Sequence, residues 1–497
     1  MNANESNRNF RIRNLVLLAL VSVLILLNSP LFPFSSGLSD ADSSAFRYIG
    51  KQMLKGQLPY RDIFAHSGPL IYLLNALGYL LQHQWGIWII EVIFMTVFLY
   101  ASLKTTRLFS EYNSIRLVSL FFTILQLIRF FDGGNLPEEY ALPFLAVAQY
   151  YFLEFLICHK SSFGRMILSG ICISQVLMLK LDMAVSLLVY LLTIMVTLLL
   201  LRKFLRCLLY VSTLLLGLTI GLAPYLIWLA KIGLWNDFIS CYIDFNLKYI
   251  RSGYENILLL ILYFFVFLSY LIIPLVIICG MYLRNQLKEH AGIYQIAIPT
   301  AVFLNLIFSM ILILLAKSHC KHYCLLLVGP LLPSICLSFQ YATLGLKNRR
   351  HPLQILILYS LFICLPLTMT ALNEVTDNIH TALVSSRSEN SSVVRYITAQ
   401  TESSDQILVL GNEAKIYLDS QRKCGNYYIY QTTVFHADSS AKDRFYEELI
   451  ADPPEMLILP KDRKDFYKSL PKKIRSYISK HYVSTYSDND YMAYRLL

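Results

Sequence analysis

Long apolar runs recur through the first 372 residues of this chain, each close to the length that crosses a bilayer. A helix needs about 20 apolar residues to span about 30 Å of hydrocarbon. With 56% hydrophobic residues and a mean hydropathy of +0.52, the 497-residue chain has more apolar surface than a water-soluble domain can bury. The sequence therefore predicts a multi-pass α-helical membrane protein with about eleven spans. They lie near residues 12–33, 86–104, 114–131, 138–157, 165–179, 183–201, 205–230, 256–283, 293–316, 322–342 and 352–372.

Basic residues indicate the orientation of these spans. The first run follows Arg8, Arg11 and Arg13 and is as long as its successors, so we interpret it as an anchor rather than a signal peptide. The amino terminus is then inside, and every second loop after it is basic, as positive-inside orientation requires. These loops contain Lys104, Arg107, His159, Lys160, Arg165, Arg202, Lys203, Arg206, Arg284, Lys288, Lys347, Arg349 and Arg350. The net charge of +11 follows from this topology, so we expect lipid bilayer rather than nucleic acid as the partner.

The composition changes after about residue 372, where the long apolar runs stop. Strand-like segments follow at 406–411 and 455–460, a helix-like segment at 441–450, and two strands around a turn at 482–497. We therefore predict two domains, a transmembrane domain over 1–372 and a small α/β domain over 373–497. With eleven spans the second domain lies outside the cytoplasmic (inner) membrane, where we expect it to shape the acceptor site or to pack on outer loops.

The segment between the first two spans is rich in ionisable residues. They are Asp40, Asp42, Arg47, Arg61, Asp62 and His66. Between them, Phe46, Ile49, Gly50, Met53 and Leu54 recur at helical spacing, which predicts a short interfacial helix with its apolar face in lipid. The residue at the start of this helix, Asp42, has two interpretations that the spacing leaves open. It is a helix cap, or it is a general base that takes a proton from an acceptor hydroxyl.

Three further outer segments carry charge. Glu138 and Glu139 begin a helix after a glycine turn, where helix-start electrostatics is the simplest explanation. Lys180 and Asp182 interrupt an apolar stretch that is too long for one span, which predicts an external turn with a local ion pair. Residues 317–323 place lysines and histidines at the same surface, either solvated or facing headgroups. Basic groups outside a membrane also suit a lipid-linked phosphate.

Several of these segments resemble the bacterial GT-C glycosyltransferases related to protein O-mannosyltransferases and the lipid A aminoarabinose transferase. The matching positions are Asp42-Ser-Ser-Ala-Phe46, Gly50, Gly56, Pro59-Tyr-Arg-Asp62, His66, Gly68-Pro-Leu70, Asn75-Ala-Leu-Gly78, Gly134-Asn-Leu-Pro-Glu-Glu-Tyr140 and His322-Tyr323. They cover much of the membrane half in order, whereas the carboxy-terminal domain resembles the family only loosely. The resemblance implies a GT-C-like fold, a polyprenyl-phosphate sugar as donor and a catalytic carboxylate that Asp42 matches.

One departure from the family affects the expected phosphate contacts. Relatives often have Asp-His-Lys-Gly-Pro where this chain has Ala65-His66-Ser67-Gly68-Pro69. Without that lysine, other basic residues have to hold the donor phosphate. The resemblance leaves Arg61, Lys180, Lys317 or Lys321 for that role.

The resulting hypothesis is a hexosyl or pentosyl transferase that moves a sugar, with inversion, to an envelope glycan, lipid or protein. Asp42 is the predicted catalytic base. The candidates for donor phosphate or substrate binding are Arg61, Asp62, His66, Lys180, Lys321, His322 and Tyr323. Asn135, Glu138 and Glu139 are candidates for orienting the acceptor or holding a divalent cation, and no other cofactor is indicated. The alternatives are a flippase or transporter of a lipid-linked glycan, disfavoured because the spans are mostly free of charge, and a non-catalytic envelope-assembly protein.

Overall fold

The computed structural model describes residues 3–27, 29–32, 41–159, 162–252, 257–316, 320–346 and 392–497, together with Asn373 and Thr376. Within these residues the chain is mostly helical and ends in a small sheet domain. Several positions used above lie outside the described residues. They are Asp40, Lys160, Lys317, the basic cluster at 347–350 and the predicted span near 352–372.

The helices of the membrane half follow the apolar runs. They are α1 (Ala3–Leu26), α2 (Ala41–Met53), α3 (Pro69–Phe109), α4 (Asn113–Phe130), α5 (Pro137–Cys158), α6 (Phe163–Leu177), α7 (Leu181–Val185), α8 (Leu188–Leu200), α9 (Phe204–Lys231), α10 (Trp235–Phe238), α11 (Phe245–Ser252), α12 (Ile257–Lys288), α13 (Ile293–Leu315) and α14 (Val328–Leu346). A π-helical turn, Ile239–Asp244, joins α10 to α11, and a 3₁₀ turn, Lys321–Leu327, precedes α14.

Seven segments among the described residues are long and apolar enough to cross a membrane. They are Trp85–Phe109, Asn113–Phe130, Pro137–Cys158, Leu181–Leu200, Phe204–Lys231, Ile293–Leu315 and Lys321–Gln340, and shorter apolar helices occupy Arg13–Leu26 and Phe163–Leu177. The chain is therefore an integral membrane protein. The predicted count of about eleven spans is not confirmed. The predicted break at Lys180 is confirmed, because α6 ends at Leu177 and extended backbone at Lys180 precedes α7.

The chain divides into two compact units, each assembled from separated stretches of sequence. The first consists of Met1–Asn28, Ile89–Ile227 and Tyr254–Ile379. The second consists of Ser29–Trp88, Trp228–Gly253 and His380–Leu497. The second unit therefore includes both the segment after the first apolar run and the carboxy-terminal domain.

The carboxy-terminal domain in the second unit is built on a five-stranded sheet of order β2-β1-β3-β5-β4. The strands are β1 (Gln406–Val409), β2 (Lys423–Cys424), β3 (Met456–Pro460), β4 (Tyr482–Ser487) and β5 (Tyr491–Leu496). β1 pairs in parallel with β2 and β3, and β5 pairs antiparallel with β3 and β4. The helices are α15 (Ser392–Gln400), α16 (Lys415–Ser420), α17 (Thr432–Ala437), α18 (Ala441–Ala451), α19 (Lys464–Ser469) and α20 (Lys472–His481). The predicted strands, the carboxy-terminal hairpin and the helix at 441–450 are confirmed.

The helix predicted after the first span forms as α2, but its surroundings differ from the prediction. Phe46 and Ile49 are only 7% and 1% exposed, because other residues of the protein cover them. The Phe46 ring lies 6.0 Å from that of Tyr72 in α3. On the same helix, Tyr48 lies 5.3 Å from Tyr417 in α16. The prediction that this apolar face lies in lipid is therefore wrong for Phe46 and Ile49, because protein groups contributed by distant sequence bury it instead.

Candidate active site

Several predicted site residues meet in the first unit and form what we call the lysine–histidine cluster. It consists of Asp132, Glu138, Lys180, His322 and Tyr323. Positive φ angles at Gly133 and Gly134 turn the chain sharply after α4, so that α5 begins at Pro137 with Glu138 in its first turn. Lys180 lies in the break before α7, and His322 and Tyr323 lie in the 3₁₀ turn before α14.

A chain of polar contacts runs through this cluster. Lys180 Nζ donates to Glu138 Oε1 at 2.5 Å and lies 3.6 Å from the centre of the Tyr323 ring. His322 places Nδ1 2.9 Å from Asp132 Oδ2 and Nε2 4.0 Å from Glu138 Oε1. The Glu138 side chain is 4% exposed and that of Lys180 is 25% exposed, so the pair is largely removed from water. Charges in such a place are stable only while they remain paired.

The electrostatics of the cluster keep its lysine charged. Burial opposes a charge on Lys180, but Asp182 and Glu138 outweigh burial and raise the pKa of Lys180 well above its ordinary value. Asp182 Oδ2 lies 3.9 Å from the ammonium group, which confirms the local ion pair expected at this turn. A phosphate reaching Lys180 would therefore compete with two carboxylates.

The Asp132 carboxylate provides a pH-dependent test of the cluster. A hydrogen bond from His322 lowers the pKa of Asp132 below its ordinary value of 3.8. Because the folded-state pKa is the lower one, the stabilisation is present above the unfolded-state pKa and is lost as pH falls through the folded-state pKa. We expect Asp132→Asn to lower the melting temperature in detergent near pH 6, with a difference from wild type that shrinks and is lost as the pH falls below 3.8 through the lowered folded-state pKa.

The matched control for this test is Asp443→Asn, which makes the same change in an exposed ion pair with Lys473 in the carboxy-terminal domain. It should alter the melting temperature little at any pH. A pH-independent effect of Asp132→Asn would contradict the assignment of the His322–Asp132 contact.

Two buried acids, Glu91 and Glu139, lie beside the lysine–histidine cluster in the first unit. The backbone N–H of Asn135 donates to Glu91 Oε1 at 2.6 Å and to Glu139 Oε2 at 2.8 Å. Asn135 has a φ of 54°, which turns this N–H toward both carboxyl groups, and its side chain accepts a hydrogen bond from Tyr140. The two buried carboxyl groups therefore share one backbone donor.

The predicted catalytic residue, Asp42, lies in the first turn of α2 in the second unit and is exposed. A negative charge there also stabilises the helix start. The charge of Asp42 affects the pKa values of two tyrosines in the same unit. Burial is the main cause that raises the pKa of Tyr72 and of Tyr430, and the nearby Asp42 carboxylate raises both further. The structure therefore places tyrosine hydroxyls within electrostatic range of Asp42.

The predicted substrate residue His66 is held firmly in the second unit. Its Nδ1 lies 2.6 Å from the hydroxyl oxygen of Tyr430, and its carbonyl oxygen accepts a hydrogen bond from Asn246 at 2.7 Å. The imidazole stacks on Phe64 with ring centres 6.1 Å apart and lies 5.5 Å from Phe245. These contacts fix the orientation of the ring.

Arg61 and Asp62 make a different kind of contact. They pair with each other at 3.2 Å, and Asp62 Oδ2 accepts a hydrogen bond from the backbone of Leu58 at 2.8 Å. Asp62 thus stabilises a turn in which Tyr60 adopts a φ of 73°. The half-exposed Arg61 is better placed than Asp62 to meet a ligand.

Sequence analysis missed three residues that the structure places against predicted site residues. Glu91 lies inside an apolar run, and an ionisable residue in such a run is itself a sign of a functional site. Asp132 directly precedes the glycine turn before Glu138 and Glu139. Tyr430 lies in a string of tyrosines whose contact with His66 has no local signature. Within the residues that the structure describes, no group of three or more His, Cys, Asp or Glu side chains is arranged to hold a metal ion.

Comparisons with known proteins complete the description of the site. Residues 3–369 match the family model described as the putative competence-induced protein Ccs4 N-terminal domain, and residues 387–496 match the Ccs4 C-terminal domain. A comparison with curated protein sequences gives no match.

Solved structures show a similar fold. ArnT from Cupriavidus metallidurans bound to undecaprenyl phosphate has a TM-score of 0.57 to this chain, at 13% identity over 96% of this chain and 97% of that one. The apo state of the same protein has a TM-score of 0.55 at the same identity and coverage. The predicted GT-C-like fold with a small carboxy-terminal sheet domain is confirmed.

Proposed function

The chain belongs to the competence-induced Ccs4 family, and from this membership and its fold we propose that it is a polyprenyl-phosphate-dependent membrane glycosyltransferase. The observation that carries the proposal is the likeness, over nearly the whole chain, to an ArnT structure that holds undecaprenyl phosphate. The resemblance of the sequence around Asp42 to GT-C enzymes supports the same conclusion. The donor is then a sugar linked to a polyprenyl phosphate.

The proposed reaction is a single displacement at the anomeric carbon of the sugar, with inversion. Asp42 takes the proton of an acceptor hydroxyl while that oxygen attacks the anomeric carbon. The bond from that carbon to the phosphate oxygen breaks, and the lipid phosphate leaves with the bonding electrons. Because phosphate is a tolerable leaving group, the protein acts mainly by positioning both substrates and stabilising developing charge. The exposure of Asp42 supports its role as the base.

The donor phosphate requires cationic or hydrogen-bonding groups, and the chain has several. The half-exposed Arg61 and the partly exposed Lys321 are the simplest candidates. Lys180 is charged, but Glu138 and Asp182 hold it, so its role in phosphate binding requires an exchange of partners. We assign His66, His322 and Tyr323 to substrate contacts, and Asn135, Glu138 and Glu139 to orienting the acceptor side of the reaction.

The proposed setting is the cytoplasmic (inner) membrane with the amino terminus inside and the reaction outside. The positive-inside pattern of the sequence supports this orientation. Little free nucleotide sugar is present outside the membrane, so an enzyme whose active site lies there needs a lipid-linked donor. The acceptor is then an envelope glycan, lipid or protein.

Two measurements together test the proposed function. Envelope glycans are compared between a strain lacking the gene and the same strain carrying the wild type, and one sugar linkage should be lost and then restored. Purified full-length protein in nanodiscs is then heated with undecaprenyl phosphate, which should raise the melting temperature because a ligand of the native state stabilises it. Phosphatidic acid, a phosphate monoester without the polyprenyl chain, is the control. Unchanged glycans together with no selective stabilisation would overturn the proposal.

The transport of a lipid-linked glycan is a second candidate, favoured by one observation. Glu91 and Glu139 are buried in helices that are able to span the membrane, and buried ionisable residues of this kind often mark proton-linked transport. Reconstituted protein that moves a lipid-linked sugar across the vesicle membrane, but transfers none, would favour transport. Sugar transfer without such movement would favour the glycosyltransferase.

A further inference from the structure

We propose that the segment from Trp235 to Ser252 lies on the surface of the bilayer and thereby holds the loop that carries His66 at the level of the lipid headgroups. The segment comprises α10, the π-helical turn and α11, and we call it the surface segment. Its contact with lipid is independent of the proposed function, whereas its part in the reaction rests on the proposed function and deepens it. All the side-chain contacts that carry the inference lie within the second unit.

One face of the surface segment is packed against protein. Its residues are at most 7% exposed, and they are Phe238, Cys241, Tyr242 and Phe245. The Phe245 ring lies 4.9 Å from that of Phe64. Next to it, Asn246 Nδ2 donates a hydrogen bond to the carbonyl oxygen of His66 at 2.7 Å. This face therefore attaches the surface segment to the loop that carries His66.

A second apolar face of the same segment remains exposed. Trp235, Leu247 and Ile250 are 46%, 51% and 44% exposed. Together with the partly exposed Ile239 and Ile243, they recur every three or four residues and so lie along one side of the helical segment. We call these five residues the apolar stripe. The apolar face of α2 is covered by protein, whereas the apolar stripe is available to a partner.

Polar residues run beside the apolar stripe along the whole surface segment. They are exposed, and each follows a member of the stripe directly in sequence: Asn236, Ser240, Asp244, Lys248 and Arg251. An apolar stripe beside a polar one, with basic residues on the polar side, is typical of a helix that lies in the plane of the bilayer surface. Tryptophan, which begins the stripe, is favoured at the boundary between lipid and water. These features favour the bilayer surface as the partner.

The position of the surface segment in the chain also brings it to the membrane. The span Phe204–Lys231 ends four residues before Trp235. Lys231 is the first charged residue after Arg206, so the hydrophobic part of the span ends close to Lys231. Four residues reach at most about 14 Å. The surface segment therefore begins within that distance of the hydrocarbon boundary, and its apolar stripe continues the lipid-facing surface of the protein.

The consequence for the reaction follows from the two faces together. The packed face holds the loop of His66, a candidate substrate residue, through Asn246. On the polar side, Lys248 pairs with Asp438 of the carboxy-terminal domain at 2.6 Å. The phosphate of a polyprenyl-linked sugar lies at the bilayer surface, because its lipid tail lies in the hydrocarbon. A segment fixed to lipid on one face and to this loop on another therefore sets the depth of the candidate site relative to that phosphate.

The first experiment measures the contact with lipid in full-length protein in nanodiscs. Leu247→Trp and Asp244→Trp each add one indole to the surface segment, on the apolar stripe and on the polar side respectively. The added emission, taken as the difference from wild type, is quenched by phospholipid with brominated acyl chains or by iodide in the water. Both positions are exposed, so neither change enters the packed face, and the melting temperature of each variant checks this.

We expect brominated lipid to quench the added emission of Leu247→Trp several-fold more than that of Asp244→Trp, and iodide to do the reverse. Equal quenching of the two variants by either reagent would show that the apolar stripe does not face lipid, and would overturn the inference. Emission from Leu247→Trp that neither reagent quenches would show that protein, such as a second copy of this chain, covers the stripe, and would overturn it as well.

The second experiment measures what the contact with lipid does for the reaction. Leu247→Asp combined with Ile250→Asp puts charge on the apolar stripe, and Asn236→Asp combined with Ser240→Asp adds the same charge on the polar side as a control. We expect the first pair to lower sugar transfer several-fold in the complemented strain at equal protein levels in the membrane, and the control pair to transfer as the wild type does. Full transfer by the first pair overturns the positioning role. A wild type that transfers no sugar overturns the proposed function together with that role, whereas the quenching result still decides the contact with lipid.

Discussion

Replacement of Asp42 by asparagine is expected to lower sugar transfer by about 10²- to 10⁴-fold, the usual contribution of a general base. Asparagine cannot accept the proton of the acceptor hydroxyl. Asp42 lies in the first turn of α2, so the loss of its charge should cost the helix only about 0.3–1 kcal/mol, and the protein should still reach the membrane in equal amounts. The measurement is the envelope glycan profile of the gene-deleted strain carrying either version. This variant therefore separates the two interpretations of Asp42 that the sequence leaves open.

The matched control is Asp237→Asn, which makes the same chemical change in the first turn of α10 within the same unit. It should restore the glycan as the wild type does. Full restoration by Asp42→Asn would show that Asp42 serves only the start of α2, and the transport or assembly alternatives would then gain weight.

Replacement of Lys180 by methionine is expected to lower the free energy of unfolding by about 3–5 kcal/mol. The substitution leaves the buried Glu138 carboxylate without its ammonium partner, and an unpaired buried charge is strongly unfavourable. Glu138→Gln combined with Lys180→Met removes both charges, and should recover much of the lost stability. The measurement is denaturant unfolding of the purified protein in detergent.

The control for this prediction is Lys248→Met, the same substitution in an ion pair with Asp438 at 2.6 Å. The Lys248 side chain is 53% exposed, so this change should cost no more than about 1 kcal/mol. Equal losses at Lys180 and Lys248, or no recovery in the double variant, would contradict the buried ion pair.

The two predictions test different parts of the molecule. Asp42 is exposed, so its loss is expected to affect chemistry more than stability. The Lys180–Glu138 pair is buried, so its loss is expected to affect stability first. A result in which Asp42→Asn unfolds the protein would therefore indicate that the carboxylate stabilises the fold.

Much of the fold was predictable because the signals that specify it are local. The length of each apolar run determines whether it is able to span a bilayer, and seven predicted spans recur in the structure with small shifts at their ends. The strand at 406–411 and the hairpin at 482–497 were predictable for the same reason, since alternation and turn residues act over a few positions. The interruption of an apolar stretch by Lys180 and Asp182 likewise predicted a break at that place.

The partners of the site residues were not predictable from local pattern. The amphipathic spacing of α2 correctly predicted a helix, but it could not show whether lipid or protein covers Phe46 and Ile49. Burial by protein depends on residues such as Tyr72 and Tyr417, which are brought there by the rest of the chain. A periodic apolar face predicts that its residues will be buried, but it does not show whether lipid or protein covers them.

The sequence by itself therefore determined the class of the protein, the seven membrane-spanning segments found among the described residues, the sheet domain and the candidate ionisable residues. It could do so because hydrophobic length and periodicity are properties of neighbouring residues. Only the tertiary structure decided which of those residues act together. Glu138 meets Lys180 across 42 positions of sequence, His322 meets Asp132 across 190, and His66 meets Tyr430 across 364. Contacts over such separations arise from the packing of whole helices and loops, which leaves no signal in the residues on either side.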